Sequence, residues 1–245
     1  MRNLTEPVRD FCAATTADQY TVRVTPELRH PRSATDDMPE EVVSLVRRRK
    51  LDLDIRRADE DDLPAVLELI SEAKLWLPSR RTNQWSTDWA DKRGRKRSDR
   101  VRDSLLEGTT WIVTVTHGGK PYTVATVTVE LGSNPLVWDH PGDLDDSAVY
   151  LSRLIVTRRL AGLKIGAALL NWACDYARYC HHVELVRIDV WTRNFSLHKY
   201  YRELGFRWQG YCEDLSYPSR ARFQRSTSRR IRRTPRISTA FGASL

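Results

Sequence analysis

The sequence predicts a mixed α/β fold in which helices cover a central sheet, and two observations carry that prediction. Short segments in which apolar and polar residues alternate indicate half-buried strands, whereas apolar residues at every third or fourth position indicate amphipathic helices. Along the chain these segments follow the order β α α β β β α β α β β, with three consecutive strands in the middle. That order differs from the regular alternation of a Rossmann fold or of an α/β barrel.

The first predicted elements are a strand and two helices. Leu51–Ala58 alternates apolar with charged residues, as a half-buried strand does. Three aspartates then precede an amphipathic helix with Pro64 in its first turn, where the missing N–H has no intrahelical partner to lose. A loop with three tryptophans among basic residues separates this helix from a second one around Asp99–Glu107.

The same two periods predict the remaining elements. Strands at Trp111–Thr116 and Val124–Leu131 are joined through Gly118–Gly119, which predicts a hairpin. Two further strands are predicted at Val149–Val156 and Leu185–Trp191, with a helix at Ile165–Tyr179 between them. A short helix at Ser196–Leu204 follows, and then a final hairpin formed by Phe206–Tyr211 and Arg220–Arg225.

Composition divides the chain into three segments. Residues 1–50 predict a loosely ordered leader with one helix ending in Arg47–Lys50, residues 51–225 a folded domain, and residues 226–245 a disordered tail rich in Ser, Thr and Arg. The formal net charge is +8, and the eight arginines between Pro218 and Leu245 account for all of it. Because the body is neutral, we expect no nucleic-acid partner except through the basic tail.

Several classes of protein are disfavoured by the composition. The N-terminus has no apolar stretch of the kind found in signal peptides, and no apolar run reaches the roughly 18 residues of a membrane helix. Four cysteines without CxxC spacing indicate reduced thiols, so we expect a cytoplasmic protein without membrane contact. Cys180, His181 and His182 are adjacent, but no metal-ligand spacing accompanies them, and we expect no metal site.

One candidate binding site lies where the strand Val149–Val156 passes through a glycine-containing turn into the next helix. At such a junction the N–H groups of the helix start and the helix dipole together favour an anion. Arg158, Arg159 and Lys164 add positive charge around this turn. The alternative is an ordinary strand–helix connection whose glycines only permit a tight turn.

A second candidate is the following strand–helix unit. Asn194 is placed to cap the helix with its side-chain oxygen, and Tyr201 lies four residues before the Gly205 that ends it. Each residue also has an ordinary explanation, because Asn is a common cap and an aromatic residue on a short helix usually belongs to the core.

Together the two candidates resemble the GNAT superfamily of N-acetyltransferases, in an actinomycete-type bacterial branch. The resemblance covers about Leu51–Arg225, and its main matching stretches are Leu53–Asp62, Tyr150–Val156 with Ala161–Leu170, and Asn194 followed by Tyr201–Phe206. It implies a mixed, mostly antiparallel central sheet flanked by helices. It also implies an enzyme that transfers an acetyl group from acetyl-CoA to a primary amine of a small molecule by direct attack.

The resemblance further implies which residues bind acetyl-CoA. The pantetheine would pair with the backbone of Leu154, Ile155 and Val156, where the strands Val149–Val156 and Leu185–Trp191 splay apart. The pyrophosphate would rest on the turn and helix start, formed by Arg159, Gly162, Leu163, Lys164, Ile165, Gly166 and Ala167. Asn194 would hold the coenzyme arm or the helix start. Lys164 replaces a glycine of the family motif and either obstructs a phosphate or pairs with it.

Two residues are implied as catalytic. Tyr201 would protonate the departing thiolate, since a pKa of about 10 keeps a tyrosine protonated near neutral pH. Glu130, at the end of its strand, is a candidate base for the proton of the amine, and a chain of water molecules is the alternative.

The acceptor itself is not identified by the sequence. Asp145 and Asp146 belong to an acidic loop that would attract a cation, and Trp76 and Trp85 would add aromatic faces. A solvated surface turn is the alternative for that loop. Acetylation of a protein amine, or a nucleic-acid- or ribosome-associated protein with a degenerate acetyltransferase fold, are the alternatives for the function, and a homodimer is compatible with either.

Overall fold

The computed structural model of the chain describes residues 37–82, 84–85, 96–138, 140, 143, 147–215, 217 and 219–239. These residues form eight strands in one sheet, in the order β6-β7-β5-β4-β3-β2-β1-β8. The strands are β1 Leu53–Arg57, β2 Thr110–His117, β3 Lys120–Leu131, β4 Ala148–Val156, β5 Leu185–Val190, β6 Arg207–Tyr211, β7 Ala221–Ser226 and β8 Ile237–Thr239. The helices are α1 Glu40–Arg47, α2 Leu63–Trp76, α3 Arg97–Leu106, α4 Ile165–Cys180 and α5 Phe195–Glu203.

The sheet is mostly antiparallel, as predicted. Only two strand pairs, β4 with β5 and β1 with β8, are parallel among the described residues. The predicted hairpin is present as β2 and β3, although β3 begins at Lys120 and not at Val124, and β6 pairs with β7 close to the predicted bounds. The fold class inferred from the sequence is therefore confirmed. None of the described helices is both long and apolar enough to cross a bilayer.

Aspartate side chains cap the 3₁₀ turn Glu60–Asp62 that leads directly into α2. The Asp59 carboxylate accepts a hydrogen bond from the N–H of Asp61 at 3.1 Å, and Asp62 accepts one from the N–H of Asp59 at 3.0 Å. Asp62 is fully buried and receives two hydrogen bonds from Arg56 of β1, both 2.7 Å long. The ion pair compensates the burial of the carboxylate and attaches the start of α2 to the sheet.

Helices cover both faces of the sheet. On one face, Val66 and Leu69 of α2 pack with Val101 of α3 and Ile112 of β2. The other face carries the larger core, in which α4 is buried along most of its length. This arrangement leaves β4 between the two helical layers.

The predicted helix near the end of the leader is present as α1, and it belongs to the folded body. Val42, Val43 and Val46 are each at most 5% exposed and join the larger core. The folded part of the chain therefore begins before the predicted boundary at residue 51.

The prediction of a disordered tail is wrong for residues 226–239. The chain continues past β7 and ends in β8, whose residues pair with Leu53–Ile55 of β1. Asn171 of α4 also holds the segment, because it accepts a hydrogen bond from the N–H of Ile231 and donates one to the Ile231 carbonyl, both 2.8 Å long. Composition predicts disorder where little apolar surface can be buried, whereas this segment is held by hydrogen bonds.

Candidate active site

The sheet opens between β4 and β5. These parallel strands pair from Ala148 and Leu185 to Tyr150 and Arg187, and the pairing ends there. Beyond that point β4 continues along β3 and β5 continues along β7. Within the described part of the chain, the backbone of 151–156 therefore has one edge without a neighbouring strand.

A bulge in β4 accompanies the opening. Thr126 of β3 faces Ile155, whereas Thr128 faces Ser152, so β4 carries one extra residue between these two pairs. Arg153 lies in this bulge with a φ of 50°, in the left-handed region that side chains other than glycine seldom adopt. Because a bulge bends and twists its strand, it separates the ends of β4 and β5.

A cavity of about 600 Å³ occupies this opening. Its volume is within the roughly 300–1,000 Å³ that small-molecule sites usually have. Helices α4 and α5 line one side of the cavity, and α2, α3 and β3 line the other. Tyr201 and Leu197 lie on the first side, and Trp85, Arg97, Arg100 and Glu130 lie on the second.

Tyr201 of α5 lies in the wall of this cavity. Its ring packs edge-on against Tyr200 and Phe206, with ring centroids 5.4 and 5.3 Å away. Burial raises the pKa of Tyr201 above its ordinary value, and the neighbouring groups Tyr200 and Asp189 raise it further. The hydroxyl group therefore keeps its proton across the physiological pH range and can act as a donor.

Tyr200 lies against the start of α4. A Cβ atom added at Gly166 would come within 3.3 Å of both the Tyr200 hydroxyl oxygen and the Leu154 Cδ2 atom. The glycine thus permits the close approach of α4, α5 and β4 beside the cavity.

The turn before α4 has the features of an anion site. Gly162 and Lys164 have φ values of 86° and 59°, and the first intrahelical hydrogen bond joins the N–H of Ala168 to the Lys164 carbonyl at 3.0 Å. The N–H groups of 165–167 have no acceptor among the described residues. These groups and the dipole of α4 favour an anion at this end of the helix.

The three basic side chains near this turn, Arg158, Arg159 and Lys164, differ in what they contact. The Arg158 guanidinium lies over the ring of Trp76, 3.8 Å from its centroid, and the N–H of Arg158 donates to Glu72. Arg159 donates to the Met38 carbonyl and forms an ion pair with Glu40, so its guanidinium contacts α1. Lys164 is exposed at the helix start.

Asn194 caps α5 and connects it to the loop after α2. Its side-chain oxygen accepts a hydrogen bond from the N–H of Leu197 at 3.1 Å, as the sequence predicted for a cap. Its amide nitrogen donates to the Gln84 Oε1 atom at 2.8 Å. Because Gln84 and Trp85 line the cavity, Asn194 positions part of the wall.

Of the residues predicted to contact the acceptor, only Trp85 lines the cavity in the described structure. Trp76 instead packs against Arg158. Asp145 and Asp146 lie outside the described residues. Asp143, from the same loop, forms an ion pair with Arg222 at 2.9 Å.

Glu130 and Asp189 are the two carboxylic acids among the described residues of the cavity wall. Burial raises the pKa of Glu130, an effect that the charge of Arg153 opposes. Burial also raises the pKa of Asp189 to about 6, against a hydrogen bond from Ser219. Asp189 was not among the residues that the sequence predicted for the site. A single carboxylate inside the apolar strand Leu185–Trp191 was the signal that could have indicated it.

Comparison with known proteins agrees with this geometry. The sequence model of the Acetyltransferase (GNAT) family matches residues 71–206 of the chain. The uncharacterized N-acetyltransferase YesJ of Bacillus subtilis (strain 168) is 28% identical over 156 residues, which are 61% of this chain and 79% of YesJ.

Two solved structures share the fold. A GNAT-family acetyltransferase from Listeria monocytogenes 4b F2365 has a TM-score of 0.54 and 18% identity, covering 71% of this chain and 94% of the other. The PaiA N-acetyltransferase of Thermoplasma acidophilum, solved in complex with coenzyme A, has a TM-score of 0.52 and 14% identity, covering 71% and 99%. The family match spans more than half of this chain, from α2 through α5. The chain is therefore a member of the acetyltransferase (GNAT) family, and it is an acyltransferase.

Proposed function

We propose that this protein transfers the acetyl group of acetyl-CoA to a primary amine of a small molecule by direct attack. The observation that carries the proposal is the cavity in the opening between β4 and β5, with Tyr201 in its wall. Leu154, which lines the cavity, also lies against Gly166 in the first turn of α4. An anion site and a proton donor are thus close to the same opening.

The residues around the opening fit acetyl-CoA. The free edge of β4 offers the backbone of Leu154, Ile155 and Val156 to an extended amide chain, in the way that a sheet accepts an added strand. The first-turn N–H groups of α4 would hold the phosphates, with Gly162, Leu163 and the charge of Lys164 beside them. Gly166 leaves this approach free of a side chain.

The chemistry needs three contributions from the chain. Acetyl-CoA supplies the thioester from which the acetyl group is transferred. A backbone N–H near Leu154 would stabilise the negative charge that develops on the carbonyl oxygen. Glu130 would accept the proton that the amine loses, since its raised pKa makes it a better base than an exposed glutamate. Tyr201 would donate its proton to the departing sulfur.

A panel of small primary amines, assayed for amine-dependent release of free thiol from acetyl-CoA, tests the proposal. We expect thiol release with at least one amine, together with an equal amount of N-acetylated product detected by mass spectrometry. Thiol release without an acetylated amine would indicate hydrolysis, and no thiol release with any amine would contradict the proposal.

A further inference from the structure

The described wall of the cavity has more positively charged than negatively charged side chains. Three arginines line it, namely Arg97 and Arg100 from the first turns of α3 and Arg153 from the bulge in β4. Glu130 and Asp189 are the only carboxylic acids among its described lining residues. Burial raises the pKa of both, so each is more readily protonated than an exposed carboxylic acid.

Arg153 is the most informative of the three arginines. Its Nε atom donates to the Thr128 hydroxyl at 3.0 Å, and no carboxylate of the described residues lies within ion-pair distance of its guanidinium. Burial lowers its pKa most; among the neighbouring charges, Glu130 raises the pKa, Arg100 lowers it and Glu107 raises it. A buried cation in this state is stabilised by a bound anion.

Arg100 lines the same cavity as Arg153 and as three polar side chains, Asn134, Tyr150 and Tyr217. Its charge affects the pKa of Arg153 and also that of Tyr217, another lining residue. The amide nitrogen of Asn134 lies 3.5 Å from the hydroxyl oxygens of both Tyr217 and Tyr150. These neutral groups can donate hydrogen bonds to an acceptor molecule without adding negative charge.

We propose that the acceptor amine also bears a carboxylate, and that Arg100 and Arg153 bind this carboxylate in the cavity. The inference rests on the proposed function and names the substrate class for the same site. Arginine suits this role because its planar guanidinium donates two parallel hydrogen bonds to a carboxylate. Arg97 has a different contact, with its Cζ atom 5.6 Å from the Trp85 ring centroid, so it borders the subsite beside an aromatic wall.

A polycationic acceptor fits this wall poorly. A second ammonium group would be placed near two guanidinium groups in a partly buried site, where repulsion between like charges is stronger than in water. In the acidic loop, the carboxylate of the described residue Asp143 contacts Arg222 and Arg187. It therefore does little to offset the repulsion of a second ammonium group.

Matched pairs of amines test the inference. We would measure kcat/KM by thiol release for 4-aminobutyrate against 4-aminobutanamide, and for several L-amino acids against their amides. The wild type should prefer the carboxylate of at least one pair by about 10-fold or more, as expected for charge-assisted hydrogen bonds. In Arg100→Gln and Arg153→Gln this preference should fall towards one, chiefly through a higher KM for the carboxylate.

The control is Arg102→Gln, since Arg102 is exposed on the same helix and is absent from the cavity wall. It should keep the wild-type preference, and Arg100→Lys, which retains the charge, should keep part of it. Thermal unfolding identifies a variant that fails to fold. If Arg153→Gln fails to fold, the substrate preference of Arg100→Gln alone decides the inference. Thiol release that is equal or faster with amides or diamines would overturn the inference and leave the proposed function intact. No release with any amine would overturn both.

Discussion

Tyr201 is the side chain on which the proposed chemistry depends most directly. The substitution Tyr201→Phe removes only the hydroxyl group, so the packing against Tyr200 and Phe206 should persist. We expect kcat to fall by roughly 10²–10⁴-fold, the usual contribution of a general acid. The affinity for acetyl-CoA, measured by calorimetry, and the unfolding temperature should change little.

Two further substitutions make this experiment decisive. Tyr211→Phe is the matched control, because Tyr211 is exposed on β6 and does not line the cavity. Tyr200→Phe examines the neighbour whose hydroxyl lies against Gly166. Full activity of Tyr201→Phe together with a large loss in Tyr200→Phe would assign the proton donor to Tyr200.

Asp189 should make stability depend on pH. Its pKa is raised from 3.8 to about 6 in the folded protein, so the fold binds this proton more tightly than the unfolded chain does. The stabilisation is complete below about pH 4 and is lost as the pH rises through 6. Relative to Asp189→Asn, the wild type should therefore lose on the order of 2 kcal/mol of unfolding free energy between pH 4 and pH 7. If urea denaturation gave the same pH dependence of the unfolding free energy for the wild type and for Asp189→Asn, this prediction would be contradicted.

Two features of the site, the place of Arg153 in the cavity wall and the raised pKa of Asp189, could not have been derived from the sequence. Arg153 reaches the cavity because β4 carries a bulge, and a bulge is a property of the register between two strands. Asp189 acquires its raised pKa from burial among groups that are distant in sequence. By contrast, the cap formed by Asn194 depends on a contact three residues away and was predicted.

At the level of single elements, the start of α4 is expected to determine coenzyme affinity. Lys164→Glu places a negative charge beside the N–H groups that would bind phosphate. We expect acetyl-CoA binding to weaken by about 1–3 kcal/mol, the loss of a charge-assisted contact, as measured by isothermal titration calorimetry. Lys120→Glu, at the exposed β2–β3 turn, is the matched control and should bind as the wild type does. Unchanged affinity of Lys164→Glu for acetyl-CoA would mean that the phosphates do not bind at the start of α4.

The segment after β7 should depend on Asn171 of α4. Asn171→Ala removes two hydrogen bonds to the backbone of Ile231 and one to the Thr234 hydroxyl, and leaves these half-buried partners without them. We expect unfolding free energy to fall by about 1–3 kcal/mol in urea denaturation. Thr234→Ala, which loses only the longest of these bonds, should cost less. Equal stability of Asn171→Ala and the wild type would mean that β8 does not depend on this anchor.

Most helices and strands could be predicted, because the spacing of apolar residues along each of them follows from which of its faces is buried. The helix predicted at Ile165–Tyr179 is α4, and the strand predicted at Leu185–Trp191 is β5. The short β8 could not be predicted, because Ile237–Thr239 has one apolar residue and its partner β1 lies at the other end of the chain. Asn171 interrupts an apolar run, and only the structure shows what it binds.

At the scale of the whole molecule, the site results from the order of strands in the sheet. The parallel neighbours β4 and β5 belong to a sheet that is otherwise nearly antiparallel, and their divergence forms the opening that the cavity occupies. The resemblance to acetyltransferases implied that these strands splay apart. The contribution of α2 and α3 to the cavity wall depends on how these helices pack against the sheet.

The most direct test of the whole account is a crystal structure of the protein with coenzyme A. We predict that the pantetheine lies in the opening between β4 and β5, with the phosphates at the first turn of α4 and the sulfur in the cavity beside Tyr201. Coenzyme A bound elsewhere, or a sheet in which β4 and β5 pair continuously along their length, would contradict the account.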